Sequence, residues 1–258
     1  HLLCSVGICL TLFFFVKINL ELFLIRHAES TNNIRNNDHE RTADPELTQR
    51  GILQMDHLAK FIQRGLHLTN AEREAGGKVL DQLYCSAMQR AMLTSRPIGQ
   101  AIGLKSEIWV EIHEVGGLYE LNPDDGSKLG CSGLNRQDIN NRFPRYIQPP
   151  KVTDQGWWSR DAESMHDAHI RTKQVIQQLT ERASEKSRIG LVTHGAFMSL
   201  FFSILFKLQP SNNMMFQHYN SSISRISFEK KNRIIIQYLN SFEYLPDNLR
   251  IPRPGFDI

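Results

Sequence analysis

The chain has 258 residues, 41% hydrophobic and 22% charged, an ordinary balance for a globular protein that buries a sizeable core. Its length suits one large α/β domain better than two small ones. A net charge of +3 is too small to imply a nucleic-acid partner, and the densest basic cluster, Lys230-Lys231-Asn232-Arg233, reads as a turn.

Four cysteines, Cys4, Cys9, Cys85 and Cys131, form no C-x-x-C pair and no regular framework. A reduced, cytoplasmic protein is the simpler expectation. The histidines lack metal-ligand spacing, so neither a bound metal nor a cofactor is expected.

Leu2–Val16 is nearly all apolar. That is short for a membrane span, which needs about 20 residues, but it has the length of a signal h-region. No basic stretch precedes it and no small-x-small site follows it. Residues 1–18 are therefore read as a targeting segment, an anchor, an extra hydrophobic strand or a sequence artefact. Membrane association or secretion is expected only through this segment.

From residue 19 onward short apolar runs alternate with longer amphipathic stretches, the pattern of an α/β fold with a parallel sheet. The first strand is predicted over Asn19–Ile25. A loop rich in Asn, Asp and Arg follows over Asn32–Asp44. Thr48 is a candidate N-cap for a helix that reaches about Leu68. Leu80–Cys85 is the second strand, Met88–Ile102 the next helix and Ile108–Ile112 a third strand. Gly116–Trp158 is loop-like and long, which marks it as a cap or lid, with a short helix over Asn135–Phe143. Ser159–Ala183 reads as a long helix, Arg188–Thr193 as a fourth strand and Ala196–Phe206 as a helix. Ser221–Phe228 and Arg233–Leu239 read as a hairpin at the sheet edge, turning at Glu229-Lys230-Lys231-Asn232. The tail Pro246–Ile258 is expected to be extended. Residues 19–258 are expected to form a single domain.

Two strands stop in the same way, at Arg26-His27 and at His194-Gly195. Sites of open parallel sheets lie beyond the carboxyl ends of the strands, so both histidines are expected to face one crevice. Arg90 falls in the first turn after the second strand, and Glu114 follows the third. This set suits phosphoryl transfer. Two arginines can clamp phosphoryl oxygens, a neutral imidazole can attack phosphorus, and a carboxyl group can protonate the leaving oxygen.

Leu24-Ile25-Arg26-His27-Ala28-Glu29-Ser30 resembles the R-H-G-E motif of the histidine phosphatase superfamily, the phosphoglycerate mutase-like fold. Asn33 stands where the family places an asparagine near the phosphate. Leu47-Thr48-x-x-Gly51-x-x-Gln54 resembles its L-T-x-x-G-x-x-Q segment. Ser86-Ala87-Met88-Gln89-Arg90-Ala91-x-x-Thr94 resembles its S-P-x-x-R-A-x-x-T segment, and Val192-Thr193-His194-Gly195 its V-x-H-G. The matches run in order from about Leu22 to Asn240. The resemblance implies a three-layer α/β/α sandwich with a mostly parallel central sheet and one antiparallel edge hairpin. It implies that His27 is phosphorylated, that Arg26, Asn33, Arg90, His194 and Gly195 bind phosphate, and that His194 completes the catalytic pocket. Glu114 fits the family acid, with Glu111 as the alternative.

Ala28 and Ala87 depart from the common glycine and proline, and the stretch after Asn33 lacks the F-x-G-W-x-D of mutase substrate loops. Gly117-Leu118-Tyr119-Glu120 and Gly156-Trp157-Trp158 look more like phosphatase-type members. The expectation is a phosphomonoester hydrolase acting on a small phosphorylated metabolite or a phosphoprotein. A phosphoglycerate mutase-type transferase and a catalytically silent phospho-ligand binding module are the alternatives.

Overall fold

Leu20 to Ile25 is apolar at five of six positions, as a strand covered on both faces requires. In the computed structural model, which describes residues 20–35, 41–182, 187–208 and 214–250, this run is strand β1 (Leu20–Arg26) near the middle of the sheet. The apolar segment 1–18, residues 36–40 of the Asn-rich loop and the end of the tail lie outside the described residues.

β1 is joined in the sheet by β2 (Gln82–Cys85), β3 (Ser106–Ile108), β6 (Ser187–Thr193), β7 (Ile223–Glu229) and β8 (Arg233–Ser241). Their order is β3-β2-β6-β1-β7-β8. The first four strands of that order run parallel; β7 is antiparallel to β1, and β8 to β7. Side chains alternate across the sheet. Leu20, Leu22 and Leu24 pack with Val175 and Leu179 of α5 (Met165–Glu181) and Phe197, Phe201 and Phe202 of α6 (Gly195–Leu205). Phe23 and Ile25 face Leu58 and Ile62 of α1 (Gln49–Gln63) and Ala91, Met92 and Ile98 of α3 (Gln89–Ile102). Two cores on opposite faces make the expected three layers. Each fully buried Leu, Ile or Phe contributes about 1.5–3 kcal/mol by leaving water.

Several boundaries differ from the sequence expectation. α1 stops at Gln63 because Gly65 takes a left-handed φ of 67° and donates its N–H to the Ile62 carbonyl. A short helix, α2 (Asn70–Glu74), follows behind a Thr69–Glu72 capping box. The third strand is Ser106–Ile108, and Val110–Ile112 is a 3-10 turn that buries Val110 and Ile112. An apolar run satisfies a buried turn as well as a strand. The long helix starts at Met165, where Ser164 accepts the Asp167 N–H, and residues 159–164 lead into it without helical structure. The cap is not structureless: a small antiparallel hairpin, β4 (Tyr119–Leu121) with β5 (Lys128–Gly130), precedes α4 (Arg136–Arg142). The described start of the tail contains a 3-10 turn at Asp247–Leu249 rather than an extended strand. Among the described residues no helix is long and apolar enough to cross a membrane.

Candidate active site

Register places the site. β1 and β6 pair in parallel with Arg26 opposite Thr193, so His27 and His194 leave adjacent strands side by side. The His27 N–H donates to the Thr193 carbonyl at 2.9 Å. Cys85 of β2 lies opposite Val192, which brings the start of α3 to the same rim. Antiparallel pairing of Ile25 with Ile223 delivers residues 218–222 there from the other side.

His27 is fully buried. Its Nδ1 lies 2.7 Å from the Ala28 carbonyl, which can only accept, so Nδ1 carries the proton. Nε2 is left with a lone pair and accepts from Arg90 Nε at 3.2 Å. The His194 ring stands 5.1 Å from His27, centroid to centroid. Both His194 nitrogens are buried, with no hydrogen-bond partner among the described residues. Burial pushes its pKa well below the ordinary histidine value, and Arg90, His27, His113 and Arg26 push the same way. Arg26 is 1% exposed and donates through NH1 to the His218 carbonyl at 2.6 Å. A Cβ on Gly195 would come within 3.2 Å of the Arg26 Nε, so glycine lets the helix start close against the guanidinium. Two guanidiniums and two imidazoles thus lie buried together at the carboxyl ends of β1 and β6, groups that can donate hydrogen bonds to an anion.

The loop that carries His27 is pinned from several sides. Ala28 N–H donates to Thr94 Oγ1, and that hydroxyl donates to the Arg90 carbonyl, tying the loop to α3. Thr48 donates to the Glu29 carboxylate at 2.5 Å, and Gln54 accepts the Glu29 N–H at 2.8 Å. Gly51 lies so close that a Cβ there would be 2.1 Å from the Glu29 carbonyl oxygen. The L-T-x-x-G-x-x-Q spacing therefore has a physical meaning: one helix turn grips the segment after His27. Asn33 Oδ1 accepts from the backbone and hydroxyl of Ser30 and from Asn220 Nδ2. These bonds fix the orientation of its amide.

Glu114 and Glu111 sit in different places. Glu114 is 2% exposed at the N-terminus of α6, where its carboxylate accepts from the N–H groups of Val115, Ala196 and Phe197. Ala196 is two residues past His194. Glu111 instead ion-pairs with Lys151, whose side chain is 68% exposed, on the protein surface. Of the two glutamates, only Glu114 shares the buried rim with the histidines.

A sequence model of the histidine phosphatase superfamily (branch 1) matches residues 22–241. The chain belongs to this superfamily. No curated protein matches it significantly. Among solved structures it resembles a mutant phosphoserine phosphatase from Entamoeba histolytica in complex with phosphoserine. The TM-score is 0.58 and the identity 21%, over 88% of this chain and 100% of that one. It also resembles a mycobacterial glucosyl-3-phosphoglycerate phosphatase bound to VO3, with TM-score 0.55 and 16% identity over 86% of this chain and 99% of that one. At these identities the likeness speaks for the fold.

The site of this histidine phosphatase superfamily member holds residues that the sequence did not single out. Asp44 is largely buried, with Oδ1 accepting the Gln89 N–H and lying 4.0 Å from Arg90 NH1. Burial pushes its pKa up to about 6, with the Arg90 charge pulling the other way. Asn220 bridges the His27 carbonyl and Asn33. His218 supplies the carbonyl that holds Arg26. Asp44 lay three residues before Leu47-Thr48 and could have been noticed there; Asn220 and His218 had no local signal. Trp157 and Trp158 pack against His113 rather than lining an opening. Among the described residues no group of three or more His, Cys, Asp or Glu side chains is placed to hold a metal ion.

Proposed function

We propose that this protein is a phosphomonoester hydrolase that works through a phosphohistidine on His27. One observation carries the reading: the His27 Nε2 lone pair faces the Arg90 guanidinium at 3.2 Å in a buried pocket shared with Arg26 and His194. A nucleophile and the groups that receive phosphoryl oxygens meet at one point.

The sequence of steps follows from the groups present. Arg26, Arg90, the Asn33 amide and His194 bind the phosphoryl oxygens, next to Gly195 at the start of α6. Nε2 of His27 attacks phosphorus as the bond to the ester oxygen breaks in line. Charge spreading over the three equatorial oxygens is met by the guanidiniums, which hold it by fork-shaped hydrogen bonds. Glu114 gives a proton to the departing alkoxide. The Glu114 carboxylate accepts three backbone N–H bonds in the free protein, so it takes up a proton from the monoanionic ester or from water as substrate binds, an uptake that the approaching negative charge favours. Water then attacks the phosphorus of phospho-His27 and loses its proton to Glu114. The N–P bond breaks, and inorganic phosphate and free imidazole are restored.

Small phosphorylated metabolites are the proposed substrates. Solved relatives are complexes with phosphoserine and with 3-phosphoglyceric acid, both small phosphomonoesters.

The test is to mix the protein with phosphoserine or 4-nitrophenyl phosphate and quench in alkaline denaturant. A phosphoprotein stable to alkali and labile to acid is expected from wild type and none from His27→Ala. An adduct that persists in His27→Ala, or turnover without any adduct, sinks the assignment.

A further inference from the structure

The segment that carries Glu114 is held from behind by one buried ion pair. Arg171 of α5 is 7% exposed, and the Glu163 side chain is fully buried. They meet by two parallel hydrogen bonds, Arg171 Nε to Glu163 Oε1 at 2.7 Å and NH2 to Oε2 at 2.6 Å. The remaining nitrogen of the guanidinium, NH1, donates to the carbonyls of Glu111 and His113 at 2.6 and 3.1 Å. The Glu163 N–H donates to the Gly116 carbonyl at 2.9 Å. Ion pair and backbone together thus grip the chain on both sides of Glu114.

Other contacts leave the segment little freedom. His113 Nδ1 donates to the Glu114 carbonyl at 2.8 Å, and Thr193 Oγ1 donates to the Ile112 carbonyl at 2.6 Å. Trp158 lies against Gly117 so closely that a Cβ there would be 2.2 Å from the indole ring. The guanidinium sits behind the backbone, while the Glu114 carboxylate faces the start of α6.

Stability alone is a poor reason for such a pair. Desolvating two charges costs several kcal/mol per ion, and well-packed apolar side chains often serve a fold as well or better. A rigid fork that reads two carbonyls and one carboxylate does serve position, because a planar guanidinium fixes angles as well as distances.

We propose that Arg171 and Glu163 are positioning residues for Glu114, setting the place from which its carboxyl protonates the leaving group. This rests on the general-acid reading of Glu114 given above. The pair lies behind the Glu111–Gly116 segment and acts through its backbone and through His113, whose Nε2 lies 3.9 Å from Glu163 Oε1.

The test is the dependence of kcat/KM on the leaving group, because an alkyl phosphate needs a proton on its departing oxygen and 4-nitrophenyl phosphate hardly does. Arg171→Met is expected to lose about a hundredfold on phosphoserine, the scale of general acid catalysis, and far less on 4-nitrophenyl phosphate. Glu114→Gln should show the same selectivity. The double variant should lose no more on phosphoserine than Glu114→Gln alone. An equal loss on both esters, or losses that multiply in the double variant, overturns the proposal. Should Arg171→Met fail to fold, Arg171→Lys and Glu163→Gln decide by the same comparison. If Glu114→Gln itself shows no selectivity, the general-acid reading falls and this inference with it. If Glu114→Gln is selective and Arg171→Lys is not, only the positioning role falls.

Discussion

Arg90 Nε lies 3.2 Å from Nε2 of His27, while Nδ1 of the same ring donates to the Ala28 carbonyl. The imidazole is held at both nitrogens, and one of its holders is a group that phosphate would claim. On the proposed mechanism, substrate arrival exchanges one partner for another: Arg90 turns from the lone pair to the phosphoryl oxygens, and the lone pair is released toward phosphorus. Arg90→Lys keeps the charge and loses the fork. One charged hydrogen bond contributes about 1.5–3 kcal/mol, so kcat/KM should fall roughly 10- to 100-fold. Steady-state kinetics on 4-nitrophenyl phosphate checks this, and unchanged kcat/KM would remove Arg90 from the phosphate site.

Glu111 and Glu114 are separated by only three positions but by very different surroundings. The first pairs with Lys151 at the surface and the second is buried beside the histidines. An exposed pair contributes about 0–1 kcal/mol, so Glu111→Gln should leave turnover within about twofold of wild type. Glu114→Gln should lower turnover of alkyl phosphates about 100-fold or more. Activity lost in Glu111→Gln and kept in Glu114→Gln would reverse the assignment.

The parts of the site that sequence made legible are those set by strand ends. An apolar run that stops at Arg26-His27 and another that stops at His194 needed only the parallel register of β1 and β6 to become neighbours. Arg90 was legible for the same reason, one helix turn beyond β2. Asn220 and His218 were not, because they arrive through the antiparallel pairing of β7 with β1, which carries no local mark. Arg171 and Glu163 both fell inside the helix expected over Ser159–Ala183 and carried no mark, since a sequence does not say which charges are buried. The strand expected over Ile108–Ile112 failed because burial of a 3-10 turn asks for the same apolar residues as burial of a strand.

Gly51 and Gly195 are both close-approach glycines, yet they should fail in different ways. A Cβ at Gly51 meets the backbone carbonyl of Glu29, and that carbonyl is already fixed by the Thr48 N–H at 3.0 Å. Neither side can give, so Gly51→Ala should cost about 1–3 kcal/mol. For a chain of this size that lowers Tm by roughly 2–12 °C. The three atoms nearest a Cβ at Gly195 all belong to the Arg26 side chain, the first at 3.2 Å, and a side chain can shift by a few tenths of an ångström. Gly195→Ala should therefore keep Tm within a few degrees and raise KM by moving Arg26. Thermal melts and KM measured on both variants separate the two, and a Tm loss in Gly195→Ala matching that of Gly51→Ala would contradict the distinction.

Buried neutral histidines should make the fold sensitive to acid. His218 is 1% exposed, its ring stacks on Phe202, and neither ring nitrogen has a partner among the described residues. Burial and the Arg26 charge lower its pKa from 6.5 to about 3. His67, also buried, falls to about 4, mainly through burial. Between those values and 6.5 the unfolded chain binds protons that the folded one refuses, so stability falls as pH drops through that window. At pH 5 each of the two histidines should remove about 2 kcal/mol relative to pH 7. Asp44 works in the opposite sense, because its raised pKa of about 6 makes the folded state the better proton binder between 3.8 and 6. Two histidines outweigh that one carboxyl, so the net trend is loss of stability in acid. His218→Phe keeps an aromatic ring against Phe202 and removes no hydrogen bond. It should match wild type at pH 7 and exceed it by about 2 kcal/mol at pH 5. Urea unfolding at the two pH values measures this directly, and parallel pH dependence in the two proteins would show that His218 is not titrating as its burial requires.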